Sequence, residues 1–365
     1  MTYISNLRHL TVRLFFTVIS IIFIGLYKFG IIKLSHSICY VVEGNNWVVS
    51  RIGNIFSDYY KNFPQNFFFY LSRYPVFSAS KILHFGSPHL WLRWHKYCKL
   101  NNTSIVNFYH GSTDPNYGNP DFINAFISSA SLIDVIVTSC TLTKSRLLSW
   151  GIPPSKIVVI PLGIDFSRFH GPESSFQRIS PPNEFYIGSF QKDSIGWGSS
   201  SLPKLIKGPD LFAQTVSILS KSIPNIHVLL TGPSRDYLKN TLSSLNIKYT
   251  HVNNVDSSLM AFPYNCIDLY LITSREEGGP LALLESLASN VPVVTTPCGM
   301  AVDLPSSPLL NVVGSFEAND LANCCLSVLR SGLKHSNTNN SHLESICDWK
   351  SILPIYSKLY SVYLD

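Results

Sequence analysis

Apolar residues in this chain follow two rhythms. Short runs rich in Val, Ile, Leu, Phe and Tyr alternate with longer stretches in which apolar positions recur every three or four residues. The first rhythm predicts strands buried on both faces of a parallel sheet, and the second predicts the helices that cover it. Strands are expected at 37–43 (SICYVVE), 66–71, 81–86, 104–110 (SIVNFYH), 134–139 and 156–161, with helices at 47–63 and 120–133. A polar, Pro-rich stretch at 171–184 (GPESSFQRISPPNE) reads as a linker. The alternation then restarts at 184–190 (EFYIGSF), with a helix from about Gly208 and strands at 226–232, 248–252, 267–274, 291–296 and 309–313. Strand and helix alternating twice over predicts an α/β chain of two Rossmann-like domains.

The N-terminus breaks the pattern. LFFTVISIIFIGLY, residues 14–27, carries no charge and is flanked by Arg8, Arg13, Lys28 and Lys33. It is shorter than the about 20 apolar residues of a comfortable membrane span. No small-x-small cleavage site follows it to mark a secretory signal. Residues 1–35 are expected to form a membrane-associating segment outside the catalytic fold, the alternative being a buried first helix.

Composition narrows the function. At 365 residues, with 45% hydrophobic and 14% charged positions, the chain can build two ordinary domains with sizeable cores. The net charge of +6 is spread without a dense Lys/Arg run, which argues against a nucleic-acid arm and suits a phosphorylated ligand or a weakly acidic surface. Eight cysteines without a C-x-x-C spacing or zinc-like pairing with His predict reduced, buried thiols and a cytosolic setting. There is no P-loop signature, and Gly196 and Gly198 lack the third glycine of a dinucleotide fingerprint, so P-loop and NAD chemistry lose ground. No D-x-D occurs, so a metal-bridged diphosphate is not expected.

SREEGGPLALLESLASNVPVV, residues 274–294, concentrates the candidate chemistry. Pro280 suits a first helical turn, Asn290 a left-handed cap, and 291–296 a buried strand, giving a helix from Pro280 to Ser289 between two strands. Glu277 then lies just beyond the carboxyl end of a strand, where open α/β sheets bind ligands. The N–H groups of Gly278, Gly279 and Leu281 form a helix start suited to phosphate. Glu285 leans back toward the same cleft, because helical side chains tilt toward the N-terminus. On spacing alone, a solvated glutamate and an N-terminal capping acid are the commoner reading.

Two further segments join it. GIPPSKIVVIPLGIDFSRF (151–169), LIKGPDLFAQTV (205–216) and the E-x7-E segment stand in the order found in one family. Together they resemble a retaining glycosyltransferase of family 4, of the EGGP-type E-x7-E subgroup. The resemblance covers about residues 37–365 and implies the GT-B fold: two Rossmann-like domains, 36–170 and 171–345, facing across a donor-binding cleft. A C-terminal helix at 346–365 is expected to pack back on the N-terminal domain.

The resemblance also implies roles. A nucleotide-sugar donor is the co-substrate, with no other cofactor and no metal, and the acceptor is a glycan or lipid-linked glycan of the cell envelope. Glu277 faces the hydroxyls of the transferred sugar and Glu285 holds the ribose diol, since a carboxylate accepts bonds from adjacent hydroxyls. Gly278, Gly279 and Pro280 lie against the donor, and Lys207 with Gly208 neutralises the departing β-phosphate. His110, in NFYHGSTDP, sits near the reacting carbon, although a packed histidine is open for both His110 and His84. The family places an arginine directly after the strand glycine Gly188; here that position is Ser189. Lys192 is the nearest replacement and Arg235 a poorer one. The glycine-rich loop after the first strand is reduced to EGNNW, leaving Gly44 and Asn45 to make the turn.

The acceptor side has one candidate. HLWLRWHKYCKL, residues 89–100, interleaves Trp91, Trp94 and Tyr97 with Arg93, Lys96 and Lys99, which suits anionic headgroups or a lipid-linked glycan and equally an ordinary amphipathic helix. The expected location is cytoplasmic, peripheral to or anchored in the membrane. A nucleotide-sugar epimerase and a non-catalytic nucleotide-sugar-binding subunit stay open as alternatives.

Overall fold

The computed structural model describes residues 2–44, 48–63, 65–98, 100–169, 184–196, 200–256, 259–332 and 341–364, with side chains from residue 11 onward. Asn45 and residues 171–183 of the expected linker lie outside the described residues. Helix α1 (Thr2–Lys28) leads into β1 (Ser35–Val41), α2 (Val48–Asn62), β2 (Phe68–Ser72), β3 (Ser80–Phe85), α3 (Pro88–Trp94), β4 (Thr103–Asn107), α4 (Pro120–Ser129), β5 (Val135–Thr138), α5 (Thr141–Ser149) and β6 (Ile157–Val159). The second half contains β7 (Phe185–Ser189), α6 (Pro209–Ser222), β8 (Ile226–Thr231), α7 (Asp236–Ser244), β9 (Lys248–Val252), α8 (Ala261–Asn265), β10 (Leu269–Ile272), α9 (Leu281–Ala288), β11 (Val293–Thr295), β12 (Leu310–Val312), α10 (Ala318–Ser331), α11 (Ser341–Cys347) and α12 (Trp349–Leu364).

The strands form two six-stranded sheets, ordered β2-β1-β3-β4-β5-β6 and β12-β11-β10-β7-β8-β9. Every pairing is parallel. All twelve expected strands are present, with ends displaced by a few residues. Central strands such as β5 and β10 are buried at every position, which is why they read as unbroken apolar runs, whereas edge strand β9 alternates between exposed and half-buried. Strand order reverses at β1/β3 and at β7/β10, and such switch points open a crevice beyond the carboxyl ends of the strands. The fold is α/β of the GT-B type, as expected.

The chain recrosses at its C-terminus. Ile164 N–H donates to Cys347 O (3.0 Å), Trp349 N–H to Ile164 O (3.1 Å) and Phe166 N–H to Asp348 Oδ2 (3.1 Å), so the outward and returning strands of chain are paired. Helix α12 then lies on the first sheet. Tyr60 Oη is 3.1 Å from Ser357 Oγ, and the Phe56 and Tyr356 rings meet edge to face at 4.7 Å.

Helix α1 docks by one face only. Phe16 packs edge-on to Trp94 at 4.9 Å, Ser20 Oγ donates to Tyr97 O at 2.8 Å, and Phe23 meets Phe77. The opposite face exposes Leu14 (65%), Phe15, Val18, Ile21 (63%) and Ile22. By length and composition, Thr11–Lys28 is apolar enough to cross a membrane. In the 89–100 stretch the structure favours the amphipathic helix over the headgroup site: Trp91 and Trp94 are buried, and Trp91 Nε1 donates to Ser129 Oγ at 2.8 Å. Its tryptophans serve the core rather than a headgroup belt, because α3 turns that side onto the first sheet.

Candidate active site

The cleft is built from strand ends. In the second half, the turn Leu205–Lys207 is a 3-10 helix that hands over to α6 at Gly208. Gly208 adopts φ +63°, and a Cβ there would come within 1.8 Å of Thr273 O. Thr273 Oγ1 in turn donates to Gly208 O at 2.7 Å, so the start of α6 is clamped to the chain leaving β10. Arg275 reinforces the clamp with a two-pronged ion pair to Asp210 (2.8 and 2.6 Å). This geometry directs Lys207 onto Glu277.

Lys207 Nζ donates to Glu277 Oε1 in a direct ion pair, and Ser274 Oγ donates to the same oxygen at 3.2 Å. Burial alone would raise the Glu277 pKa, but the Lys207 charge, then His110 and the hydrogen bonds from Lys207 and Ser274, outweigh it and hold it below the ordinary carboxylate value. From the other sheet, His110 stands three residues past β4, its ring open to the water of the cleft yet hemmed in by both domains. Desolvation, followed by the Lys207 charge, lowers its pKa, so the imidazole is neutral at neutral pH.

Glu285 sits on α9, half-buried, and accepts a 2.5 Å hydrogen bond from Tyr264 Oη. Desolvation raises its pKa, against Tyr264 and the charges of Arg51 and Arg168. Helix α9 runs one residue shorter at each end than expected, with Pro280 as its N-cap, and Asn290 takes the left-handed conformation (φ +55°).

Glycine roles differ from the sequence reading in what the missing side chains would strike. A Cβ on Gly278 would come within 2.4 Å of Tyr109 O in the first domain, and one on Gly279 within 2.5 Å of Met300 Sδ. Gly278 allows the two domains to approach, and Gly279 makes room for Met300 of its own domain. Gly188 lies inside β7, and its absent side chain makes room for Ile267, Phe190 and Tyr270 in the core. The domains are further tied by Arg146 to Glu276 (3.0 Å) and by Thr141 N–H to Asp303 Oδ2 (2.6 Å).

Arg235 is locked in the interior. It is 1% exposed, ion-paired to Asp193 at 3.1 Å, and donates to Ser189 O and Oγ at 2.8 and 2.9 Å. It buttresses the loop after β7 and does not reach the cleft. Lys192 donates to Gly196 O on its own loop. His84 is a packed histidine, buried between Tyr360 Oη (2.6 Å at Nδ1) and Asn107 Oδ1 (2.9 Å at Nε2).

Sequence reasoning passed over Lys204. It is the N-cap of the same 3-10 turn, three residues before Lys207, whose N–H donates to Lys204 O at 2.8 Å. Its pKa is lowered by burial first and then by Lys207, with Glu277 opposing. The repeated lysine in KLIKG was the available signal. In the first domain, Glu43, Ser50, Arg51, Asn54, Ser72 and Arg73 line a cavity of about 470 Å³ at the ends of β1 and β2.

Known proteins match both halves. Residues 43–168 match the Glycosyltransferase Family 4 model, and residues 197–331 match the Glycosyl transferases group 1 model. An uncharacterized glycosyltransferase of Haemophilus influenzae is 29% identical over 99 residues, 26% of this chain. That alignment spans 28% of the relative's length. Anabaena HepE in complex with UDP-glucose superposes with a TM-score of 0.70 at 12% identity, covering 89% of this chain and 99% of that one. A glycosyltransferase from Rickettsia africae gives 0.65 at 17% identity over 91% and 99%. Sucrose-phosphate synthase from Thermosynechococcus elongatus gives 0.65 at 15% over 79% and 75%. Such identities speak for the fold alone, which is GT-B; a glycosyltransferase family match on each half of the chain supports a glycosyltransferase of that fold.

Proposed function

We propose that the protein is a retaining glycosyltransferase of the E-x7-E kind. It moves a sugar from a nucleotide-sugar donor to a glycan or lipid-linked acceptor in envelope polysaccharide synthesis. The observation that carries this reading is the convergence of Lys207, Glu277 and His110 where the two sheets face each other. Lys207 meets the β-phosphate as negative charge develops on it, an interaction that strengthens as the bound donor displaces water from the cleft. Glu277, ionised, accepts hydrogen bonds from the sugar hydroxyls and fixes the ring; neutral His110 contacts the sugar near the carbon that changes partner. Glu285 keeps one oxygen on Tyr264 and offers the other to the ribose diol.

Nucleotide-bound neighbours support the donor class. HepE is described in complex with UDP and with UDP-glucose, and TarM from S. aureus in complex with UDP and α-GlcNAc-glycerol. The acceptor enters from the first domain, where the arginines of the 470 Å³ cavity suit a phosphate-bearing or acidic glycan. Helix α1 holds the enzyme at the cytoplasmic membrane face. One side of α1 is docked on protein and the other is exposed and apolar, which favours a helix lying in the interface over one crossing the bilayer.

A thermal-shift screen across UDP-, GDP- and ADP-sugars tests the donor class. One base series should raise the melting temperature in proportion to the logarithm of its concentration. No shift with any series contradicts the reading.

A further inference from the structure

Among the described residues, Lys204 is a cation without a direct partner. It is half-buried, and its ammonium forms no hydrogen bond or ion pair to a described residue. Its backbone is held firmly: Lys204 N–H donates to Asp193 O at 2.7 Å, and Pro203 forms an isolated bridge with Ser194. The residue is thereby stitched to the loop that follows β7, the strand that ends in Ser189, where the resemblance would place an arginine. Around it stand Lys207, Lys192 and Glu277, and its charge also reaches His110. Glu277, the carboxylate that attracts Lys204, is already paired with Lys207. Positive charge is left over beside the start of α6, whose amide groups favour an anion as well.

The other candidates for that role are engaged elsewhere. Arg235 is held in the interior by Asp193 and Ser189, and Lys192 is turned onto Gly196 O. A half-buried ammonium is costly unless something negative meets it. A nucleoside diphosphate supplies two adjacent phosphates, enough for both members of the Lys204/Lys207 pair.

We propose that Lys204 is the second cation of the diphosphate seat, gripping the donor's diphosphate beside Lys207 and standing in for the arginine absent at Ser189. This rests on the donor-site reading above, and the test separates the two. The full-length protein and its Lys204→Met and Lys204→Arg variants are titrated by calorimetry with UDP, GDP and ADP, then with the matching monophosphates. Melting curves check that each variant is folded.

Loss of a charge-assisted contact should weaken diphosphate binding by about tenfold to a hundredfold in Lys204→Met. Monophosphate binding should change by less than about threefold, and Lys204→Arg should recover most of the diphosphate affinity, since it restores the charge. Diphosphate affinity unchanged in a folded Lys204→Met overturns this inference and leaves the donor site standing. Equal losses of monophosphate and diphosphate also overturn it, by showing a structural role. If the unaltered protein binds none of the three diphosphates, the donor-site reading fails and this inference with it.

Discussion

Lys207, at the start of α6, and Glu277, just past β10, lie 70 positions apart in the chain and meet in a direct ion pair. Neither side chain has freedom to wander. Gly208 can occupy its place only because it has no Cβ, and Ser274 holds the same Glu277 oxygen from the other side. Two cleft charges are thus fixed by backbone clamps, and the predictions below probe what surrounds them.

Glu285→Ala should weaken nucleotide binding by about 1.5–3 kcal/mol, the usual worth of hydrogen bonds to a charged group. Monophosphates should lose as much as diphosphates, because the ribose is common to both. Calorimetric titration of the folded variant checks this. Unchanged affinity would return Glu285 to a partner for Tyr264 alone.

Arg235 and Lys192 should separate into a structural and a surface residue. Arg235→Ala leaves Asp193 buried without its partner, and should cost about 3–5 kcal/mol in urea unfolding. Burial already raises the Asp193 pKa, so uptake of a proton can recover part of that loss at acid pH. Lys192→Ala should cost under about 1 kcal/mol in stability and leave turnover near that of a stability-matched control. Equal stability losses would place Lys192 in the core framework.

His84 should give the fold an acid sensitivity. Its ring is fully buried and its pKa is lowered to about 4, chiefly by desolvation. Above an unfolded value of about 6.5 both states are neutral and nothing is lost. As pH falls from there toward the folded value, the unfolded chain takes up the proton first, so stability drops by on the order of 3 kcal/mol and then levels off. His84→Gln cannot titrate. The stability gap between the unaltered protein and this variant should therefore narrow by that amount between neutral pH and about pH 4. Parallel pH curves would contradict the assignment.

Val18→Glu with Ile22→Glu should release the protein from vesicles. Both side chains lie on the exposed face of α1, so the melting temperature should hold while partitioning onto anionic vesicles falls at least about tenfold. Sedimentation with vesicles containing phosphatidylglycerol reads the effect. Transfer to a soluble acceptor mimic should persist. Unchanged sedimentation would remove α1 from the membrane account.

Parallel strands were legible because burial on both faces leaves no polar alternation, as in the fully buried VIVT and LYLI segments. Pro280 and Asn290 punctuated α9 to within a residue, since each has a backbone preference that acts locally. What escaped depended on contacts distant in sequence. Trp91 and Trp94 recur at a helical spacing that serves a core or an interface equally, and only packing on the first sheet decides. Gly278 announced that something approaches closely without saying that it is Tyr109 O. Arg235 could not be read as buried, because Ser189 at the end of β7 and Asp193 in the loop after it reach it from a distant part of the chain. Lys204 hid in a stretch with no periodicity, where a lysine looks like ordinary surface.

The most direct test of the Lys207–Glu277 site is a paired assay on Glu277→Gln. It measures binding of the preferred nucleoside diphosphate by calorimetry and transfer of sugar from the matching nucleotide-sugar to an extracted envelope acceptor. Glutamine keeps the shape but loses the charge that orients the sugar. Diphosphate affinity should stay within about threefold while transfer falls at least about a hundredfold, the scale of losing a preorganised transition-state contact. Full transfer by the folded variant, or donor turnover by the unaltered protein that needs no acceptor, would contradict the account.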